Sequence, residues 1–216
     1  MKRFWAAAIT AAAVVGLMAG PASAHENDDD DDGAPPAQPT TIAGLLLADK
    51  AGDDANGFDH NWRDYDIVTQ AVLAFPDLTA AASDANAKLT VFAPNDRAFR
   101  RLVRDLTGTW PSSEKATFDA VVGLGLDSVK TVLTYHIVGS AISAADAIAA
   151  DGAAVPTLQG GTITVDVRHK RWDPVIRLID QDPDARDPRV IEPNLGGALL
   201  NGYVHGIDRV LRPVNL

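Results

Sequence analysis

Acidic side chains offer the first candidate chemistry, because carboxylates at alternate positions can hold a hard cation such as calcium. Asp180, Asp182 and Asp184 alternate in a proline-containing loop, as the first three ligands of an EF-hand loop do. That pattern also needs a glycine and then a bidentate glutamate, and this sequence has Ala185 and Ile191 at those two positions. The sequence therefore predicts no metal ligand, although adventitious calcium binding by this loop stays open.

A basic and aromatic cluster precedes the acidic loop and could recognise negative charge. Guanidinium and ammonium groups pair with an acidic glycan or with the carboxylates of a protein, and an indole ring can stack on a sugar face. The other interpretation, which we favour, is an exposed strand edge that charge protects from aggregation and that pairs with neighbouring acids. The candidates for partner binding are Arg168, Lys170, Arg171 and Trp172.

Familiar catalytic motifs are absent from the sequence. It contains no Gly-x-Ser-x-Gly elbow, no His-Glu-x-x-His, no phosphate-binding loop and no cysteine. Hydrolysis by paired carboxylates stays open, because aspartates are numerous and the sequence does not fix the distances between them. We therefore predict a protein without catalysis and without a cofactor. A cation- or small-ligand-binding exoprotein is the alternative, and a carboxylate-dependent hydrolase is a further one.

The amino-terminal region predicts export. Lys2 and Arg3 precede an apolar run, and Ala22-Ser23-Ala24 supplies the small side chains that a signal peptidase needs. The run is short for a bilayer span of about 20 residues, and no comparable run follows it. Residues 1–24 are thus predicted to be a cleaved signal peptide of compact, bacterial type. The mature chain is expected to be secreted, outside the cell, at its surface or in a periplasm, without inserting into the membrane.

Residues 25–40 are acidic and then proline-rich, so they are predicted to form a disordered linker. Removal of the leader takes the formal net charge from −10 to −12, since the leader carries two basic residues and no acidic one. Such a charge repels nucleic acid and anionic lipid, and we predict neither as a partner. Residues 41–214 have globular composition without a further linker, which indicates one domain.

Helical patterns occur mainly in the first half of this domain. The first predicted helix has an apolar stripe from Ile67 to Phe75 and ends at Pro76. A strand over residues 88–93 leads into a helix with Phe99 on its apolar side. Two further helices are predicted, which open at residues 111–114 and at Asp127. The predicted caps of the first two helices are Asp66 and either Asn95 or Asp96.

Strand patterns occur mainly in the second half. Residues 162–167 alternate between polar and apolar side chains, and residues 175–179 and 204–211 are further candidate strands. Segregation of helices from strands predicts an α+β fold with antiparallel pairing rather than alternating βαβ units.

Three segments, in one order along the chain, resemble the signature motifs of fasciclin-like domains. They are Thr90-Val91-Phe92-Ala93-Pro94-Asn95-Asp96-Arg97-Ala98-Phe99, Leu133-Thr134-Tyr135-His136-Ile137-Val138 and the segment from Asn201 to Pro213. The resemblance implies a single compact wedge of sheet and helices over residues 41–214, with an insertion near residues 168–195. It also implies a secreted adhesion module that binds an unidentified protein or glycan of the cell surface or matrix.

The same resemblance suggests where a partner would bind, at Tyr135, His136, Ile207 and Asp208. The residues themselves predict structural roles first. The imidazole of His136 is expected to contact the last carbonyls of its helix. His205, in contrast, is expected to bond the loop that follows the strand over residues 88–93. Asp208 is expected to pair with the adjacent arginine or to cap that same loop.

Overall fold

The computed structural model describes residues 40–48, 54–169 and 174–215. The predicted signal peptide and residues 25–39 of the predicted linker lie outside the described residues. The described part has an α+β fold, as the sequence predicts. Its helices are α1 (Ile42–Ala48), α2 (Asp66–Leu73), α3 (Pro76–Ser83), α4 (Asp96–Thr107), α5 (Glu114–Val122), α6 (Leu126–Tyr135) and α7 (Ala144–Ala149).

The strands form two sheets. They are β1 (Leu89–Pro94), β2 (Ile137–Val138), β3 (Ala154–Pro156), β4 (Thr162–His169), β5 (Pro174–Ile179), β6 (Val190–Leu199) and β7 (Gly202–Ile207). The first sheet has the strand order β2-β1-β7-β6, and the second has the order β3-β4-β5. All neighbouring strands are antiparallel except β1 and β7, which run parallel. The long connection between β1 and β7 allows the chain to return in the same direction.

The parallel pair of β1 and β7 places two of the three signature segments side by side. Leu89 lies opposite Gly202, and Pro94 lies opposite Ile207. Successive side chains of β1 enter different apolar cores, because neighbouring residues of a strand point to opposite faces. Val91 packs with the helices, whereas Phe92 packs with the second sheet. This strand pair therefore ties both cores into one body.

Helix α4 follows β1 directly, and the sequence predicts its start correctly. The side chain of Asn95 accepts a hydrogen bond of 3.0 Å from the backbone N–H of Ala98. The prediction that Asp66 caps α2 is wrong, because Asp66 is the first helical residue and Tyr65 precedes it without a side-chain cap. The carboxylate of Asp96 accepts the N–H of Ile67 instead, at 2.9 Å. A cap that comes from another helix leaves no local pattern in the sequence.

Two other sequence predictions need correction in detail. Pro76 begins α3 as its first helical residue, a position where its missing N–H costs nothing, and α2 has already ended at Leu73. Strand β6 was not predicted, since Asn194, Gly196 and Gly197 take positive φ and interrupt its register with β7. The segment 168–195 thus contributes β5 and part of β6. Its status as an insertion stays a prediction.

The turn before β7 is fixed by a buried amide. The side chain of Asn201 accepts the N–H of Ile42 at 2.9 Å and donates to the carbonyl of Ala82 at 2.8 Å. Gly202 has a φ of 139°, and a Cβ at this position would lie 1.7 Å from the carbonyl oxygen of Leu89. Asn201 therefore joins α1 and α3 to the sheet, and only glycine fits directly after it.

Candidate functional site

The four residues that the family resemblance suggests for partner binding are buried. Tyr135 and Ile207 are fully buried in one apolar core, and 3% of His136 and 8% of Asp208 are exposed. The hydroxyl of Tyr135 donates to the carbonyl of Thr162 at 2.7 Å. A role of these side chains in binding stays a prediction. In the structure they are buried, and they position the residues of the surface around them.

His136 links the end of α6 to the last segment of the described chain. Its Nε2 atom accepts a hydrogen bond of 2.9 Å from the N–H of Leu211, so the ring proton is on Nδ1. That proton is donated to the carbonyl of Val132 at 2.7 Å, which confirms the expected contact with the last carbonyls of the helix. Burial lowers the pKa of His136 to about 4.

His205 does not bond the loop at Asn95, and this expectation is wrong. Its Nδ1 atom accepts from the N–H of Asn194 at 3.1 Å, and its Nε2 atom lies 2.9 Å from the carbonyl of Ile142. The backbone N–H of Asn95 instead donates to the carbonyl of Ile207, two residues further along β7. The imidazole therefore joins β6 to the segment before α7.

Asp208 pairs with Arg189, and its expected pairing with the adjacent arginine is wrong. Its carboxylate accepts from the Nη2 atom of Arg189 at 3.0 Å and from the backbone N–H of the same residue at 2.8 Å. The carbonyl of Asp208 accepts from the Nη1 atom of Arg101 at 2.7 Å. The chain between β5 and β6 brings Arg189 to the end of β7, a proximity that the sequence alone does not reveal.

The basic aromatic cluster contributes Arg168 to the described residues, whereas Lys170, Arg171 and Trp172 lie outside them. Arg168 is exposed near the end of β4 and donates to a carboxylate oxygen of Asp166 at 2.7 Å. This ion pair agrees with the interpretation of a charged strand edge. A binding role for the cluster stays a prediction.

The acidic loop before β6 is held by protein donors. Asp182 is buried and accepts from the Nη1 atom of Arg212 at 3.0 Å. A carboxylate oxygen of Asp180 accepts the backbone N–H of Arg212 at 2.8 Å. A side-chain oxygen of Asp184 accepts from Asn215 at 3.0 Å. These contacts fix the loop to the end of the described chain, which explains its alternating acids without a cation.

A row of arginines on α4 is the feature that the sequence analysis did not find. Arg97, Arg100, Arg101 and Arg104 follow the spacing i, i+3, i+4 and i+7, which places them on one side of a helix. The opposite side carries Phe99 and its apolar neighbours into the core. Like charges at i and i+4 destabilise a helix by about 0.2–0.5 kcal/mol per pair, so folding alone does not favour this pattern.

Two arginines from other parts of the chain join this row. We define the arginine face as Arg97, Arg101, Arg186 and Arg209. Burial lowers the pKa of Arg101, and the positive charges of Arg209, Arg97 and Arg186 lower it further. Within the described ranges, no carboxylate lies within 4.0 Å of a side-chain nitrogen of Arg97, Arg186 or Arg209. The face therefore concentrates positive charge on a protein whose net charge is −10.

Arg209 gives this face a partly exposed charge and carries one unsatisfied donor. Its Nε–H group is buried, and it has no acceptor among the residues that the structure describes. A buried donor without an acceptor costs about 1–3 kcal/mol. The rest of the Arg209 side chain is partly exposed, so its charge contributes to the arginine face although solvent does not reach the Nε–H group.

A cleft of about 290 Å³ adjoins the arginine face. Its lining side chains are Arg63, Asn95, Arg97, Arg101, Arg189, Ile191, Glu192 and Asp208. Both acids are already engaged, since Asp208 pairs with Arg189 and Glu192 accepts from the hydroxyl of Tyr65 at 2.8 Å. The remaining arginines give the cleft an excess of positive charge, and its volume suits one acidic group of a larger partner.

Aromatic rings lie beside the same helix. The guanidinium carbon of Arg100 lies 4.3 Å from the ring centroid of Trp62 and 5.5 Å from that of Trp110. Arg104 lies 5.3 Å from the Trp110 ring, and Trp110 is 52% exposed. These contacts restrict the arginine side chains, and they leave an exposed indole next to a positive surface.

Comparison with known proteins agrees with this architecture. The model of the Fasciclin domain matches residues 65–213, and the chain belongs to the fasciclin family. Among solved structures it is similar to a FAS1 domain pair from the insect cell adhesion molecule Fasciclin I, with 22% identity and a TM-score of 0.46. That match covers 66% of this chain and 43% of the other, so this chain spans less than half of its length. A comparison with curated proteins finds no match. None of the described helices is long and apolar enough to cross a membrane.

Proposed function

We propose that this fasciclin protein is a secreted adhesion module without catalysis, which binds an anionic partner of the cell surface or matrix through the arginine face. The observation that carries the proposal is the cluster of Arg97, Arg186 and Arg209, whose side chains have no ion pair within the described residues. Positive charge in a cleft raises the local concentration of anions and the rate of their association. A predicted signal peptide and the family's adhesion role support the location.

An acidic polysaccharide is the partner class that the surface fits best. The arginines of α4 extend from Arg97 to Arg104, so they offer a line of positive charge rather than one point. Guanidinium groups bind carboxylates and sulfates bidentately, and the exposed ring of Trp110 provides a flat apolar surface beside them. A linear chain with repeated acidic groups and apolar sugar faces matches both properties.

The test is binding to an immobilised polyuronate at low and at physiological salt. The double variant Arg97→Gln with Arg186→Gln removes two exposed charges that have no ion pair among the described residues, so the fold should be retained. We expect the affinity of the variant to fall at least tenfold, and the affinity of the unmodified protein to fall as salt rises, since salt screens exposed charges.

A charge-matched control separates this site from nonspecific attraction. Lys115→Gln with Lys130→Gln removes two exposed charges from α5 and α6 and should keep the affinity. Equal losses in both double variants would contradict a specific site. Binding that Arg168→Gln alone abolishes would place recognition at the strand-edge cluster instead. If the protein bound an acidic protein but not the polyuronate, the assignment of an acidic polysaccharide as the partner would be wrong.

A further inference from the structure

The cleft beside the arginine face continues into a second one. We name the first, whose volume is about 290 Å³, the arginine cleft. The second has a volume of about 440 Å³ and shares the side chains of Arg63 and Glu192 with the first. Its apolar lining residues are Leu45, Leu46, Ala48 and Leu195, and we name it the leucine cleft. Because the two clefts meet at Arg63 and Glu192, parts of one ligand can occupy both.

Helix α1 and strand β6 form the apolar wall of the leucine cleft. Leu45 and Leu195 pack against the core of the helices and remain partly exposed. Their close approach depends on Gly196, since a Cβ at this position would lie 2.6 Å from the Cδ1 atom of Leu45. Gly196 has a φ of 71°, which glycine adopts without strain. The fold thus joins leucines from distant parts of the chain and leaves part of their surface in contact with solvent.

The segment before α2 forms the wall that the two clefts share. The backbone N–H of Arg97 donates to the carbonyl of Trp62 at 2.9 Å, which attaches this segment to the start of α4. The hydroxyl of Tyr65 donates to the carboxylate of Glu192 at 2.8 Å, which attaches the same segment to β6. The shared wall is therefore held on both sides, and the positions of the two clefts are fixed relative to each other.

The two clefts differ in charge. Arginines outnumber acids in the lining of the arginine cleft, whereas the charged side chains of the leucine cleft are those of Arg63, Asp64 and Glu192. The leucine cleft thus has no excess of positive charge, and it does not attract a second carboxylate of a polyanion. Its leucines instead favour a neutral group with apolar surface, since burial removes that surface from water.

We infer that the leucine cleft is a subsite for a short acyl ester on the acidic polysaccharide, an O-acetyl group, while an acidic group of the same chain occupies the arginine cleft. This inference rests on the proposed function. Glu192 and Leu195 are three residues apart in β6, which is at most about 10 Å, so the acidic group and the ester belong to the same or to neighbouring sugars. The volume of the leucine cleft lies in the range of about 300–1,000 Å³ that is usual for small-ligand sites.

An ester also carries a carbonyl oxygen, and Asn61 can donate to it. The side-chain oxygen of Asn61 accepts the backbone N–H of Arg63 at 3.3 Å. Its amide nitrogen has no acceptor among the described residues, and Asn61 is exposed in the lining of the leucine cleft. The cleft therefore offers apolar surface for the methyl group and one donor for the carbonyl.

The subsite gives the surface a selectivity that charge alone does not supply. Arginines attract any polyanion, whereas contact with the leucines favours only the esterified chain. Burial of one methyl group corresponds to about a fourfold gain in affinity. We therefore expect a preference for esterified over unesterified polyuronates of the same length and charge.

The experiment is calorimetric titration of the purified protein with two oligouronates of equal length, one with and one without O-acetyl groups. The acetylated one should bind about fourfold more tightly. Leu195→Asn should remove this preference and keep the affinity for the unacetylated one. Leu158→Asn, at an exposed leucine that lines neither cleft, should keep both affinities. Arg97→Gln with Arg186→Gln should weaken both oligouronates by the same factor.

A second variant and a second readout do not depend on the folding of Leu195→Asn. Ala48 is exposed in the lining of the leucine cleft, so Ala48→Gln adds polar bulk there and leaves the core unchanged. It should also remove the preference. In the unmodified protein, the acetyl protons should give nuclear Overhauser effects to the methyl groups of Leu45 and Leu195. Effects to Ile191 of the arginine cleft alone would overturn the inference.

The outcomes separate this inference from the proposed function. Equal affinities of the two oligouronates for the unmodified protein would overturn the inference and leave the proposed function intact. A preference that persists in both Leu195→Asn and Ala48→Gln would do the same. Absence of binding by either oligouronate would contradict the proposed function, and this inference with it.

Discussion

The Nη1 atom of Arg101 donates a hydrogen bond of 2.7 Å to the backbone carbonyl of Asp208, which joins helix α4 to the end of β7. Both residues belong to or adjoin the signature segments of the family. The buried carboxylate of Asp208 holds Arg189, and the exposed side of α4 carries the arginines. The family motifs therefore act here as a frame: most of their apolar side chains are buried, while Arg97 and Arg209 of the same segments belong to the arginine face.

The arginines of this region should differ in their effects on stability. Arg97→Gln should change the free energy of unfolding by no more than about 0.5 kcal/mol, because its side chain is exposed and repelled by its neighbours. Arg189→Gln should cost about 1–2 kcal/mol, since it leaves the carboxylate of Asp208 with fewer donors in a partly screened site. Urea unfolding measures both values. Equal losses would contradict the assignment of Arg97 to binding.

The free energy of unfolding should decrease at acidic pH, because the buried imidazole of His136 resists protonation in the folded protein. Its pKa is about 4 in the folded protein and ordinarily about 6.5, so the unfolded chain binds more protons between these values. The contribution is fully present above pH 6.5 and is lost as pH falls towards 4, because protonation of Nε2 would break the bond from Leu211. The loss should amount to about 3 kcal/mol.

The matched variants for this prediction are His136→Asn and His169→Asn. Urea unfolding at several pH values between about 4 and 7 compares their profiles with that of the unmodified protein. His136→Asn should flatten the profile, whereas His169→Asn should leave its shape unchanged because that side chain is exposed. A profile that keeps its full slope without His136 would contradict the assignment.

Asn201 should be important for stability although it lies in a turn. Asn201→Ala leaves the N–H of Ile42 and the carbonyl of Ala82 without this partner, and we expect a loss of about 2–4 kcal/mol. Asn86→Ala is the control, since Asn86 is exposed and its side chain bonds to the neighbouring Asp84. Chemical unfolding that gives equally small effects for both variants would refute the role of Asn201 in joining α1 and α3.

Local patterns were the predictable part of this fold. The cap of α4, predicted at Asn95 or Asp96, and the strand predicted over residues 162–167 depend on neighbours within a few positions, so spacing and residue type reveal them. Strand β6 was missed because its positive-φ residues imitate a loop. The partners of His205 were missed since they come from β6 and from the segment before α7, which only the tertiary fold brings together.

The candidate site was predictable in part. The arginine spacing on α4 is visible in the sequence once that helix is assigned. Charged residues at this spacing identify one side of a helix, just as apolar residues at the same spacing do. Arg186 and Arg209 lie far from α4 along the chain, so their contribution depends on the fold. The leucine cleft likewise exists only because α1 and the segment before α2 meet β6 in the fold.

The most direct test of anion binding at the arginine face is the ¹⁵N–¹H NMR spectrum of the arginine Nε–H groups during titration with a short oligouronate. We expect the signals of Arg97, Arg186 and Arg209 to move with one common affinity, because their charges lie on one face. Movement of the Arg168 signal alone, with those three unchanged, would contradict this account.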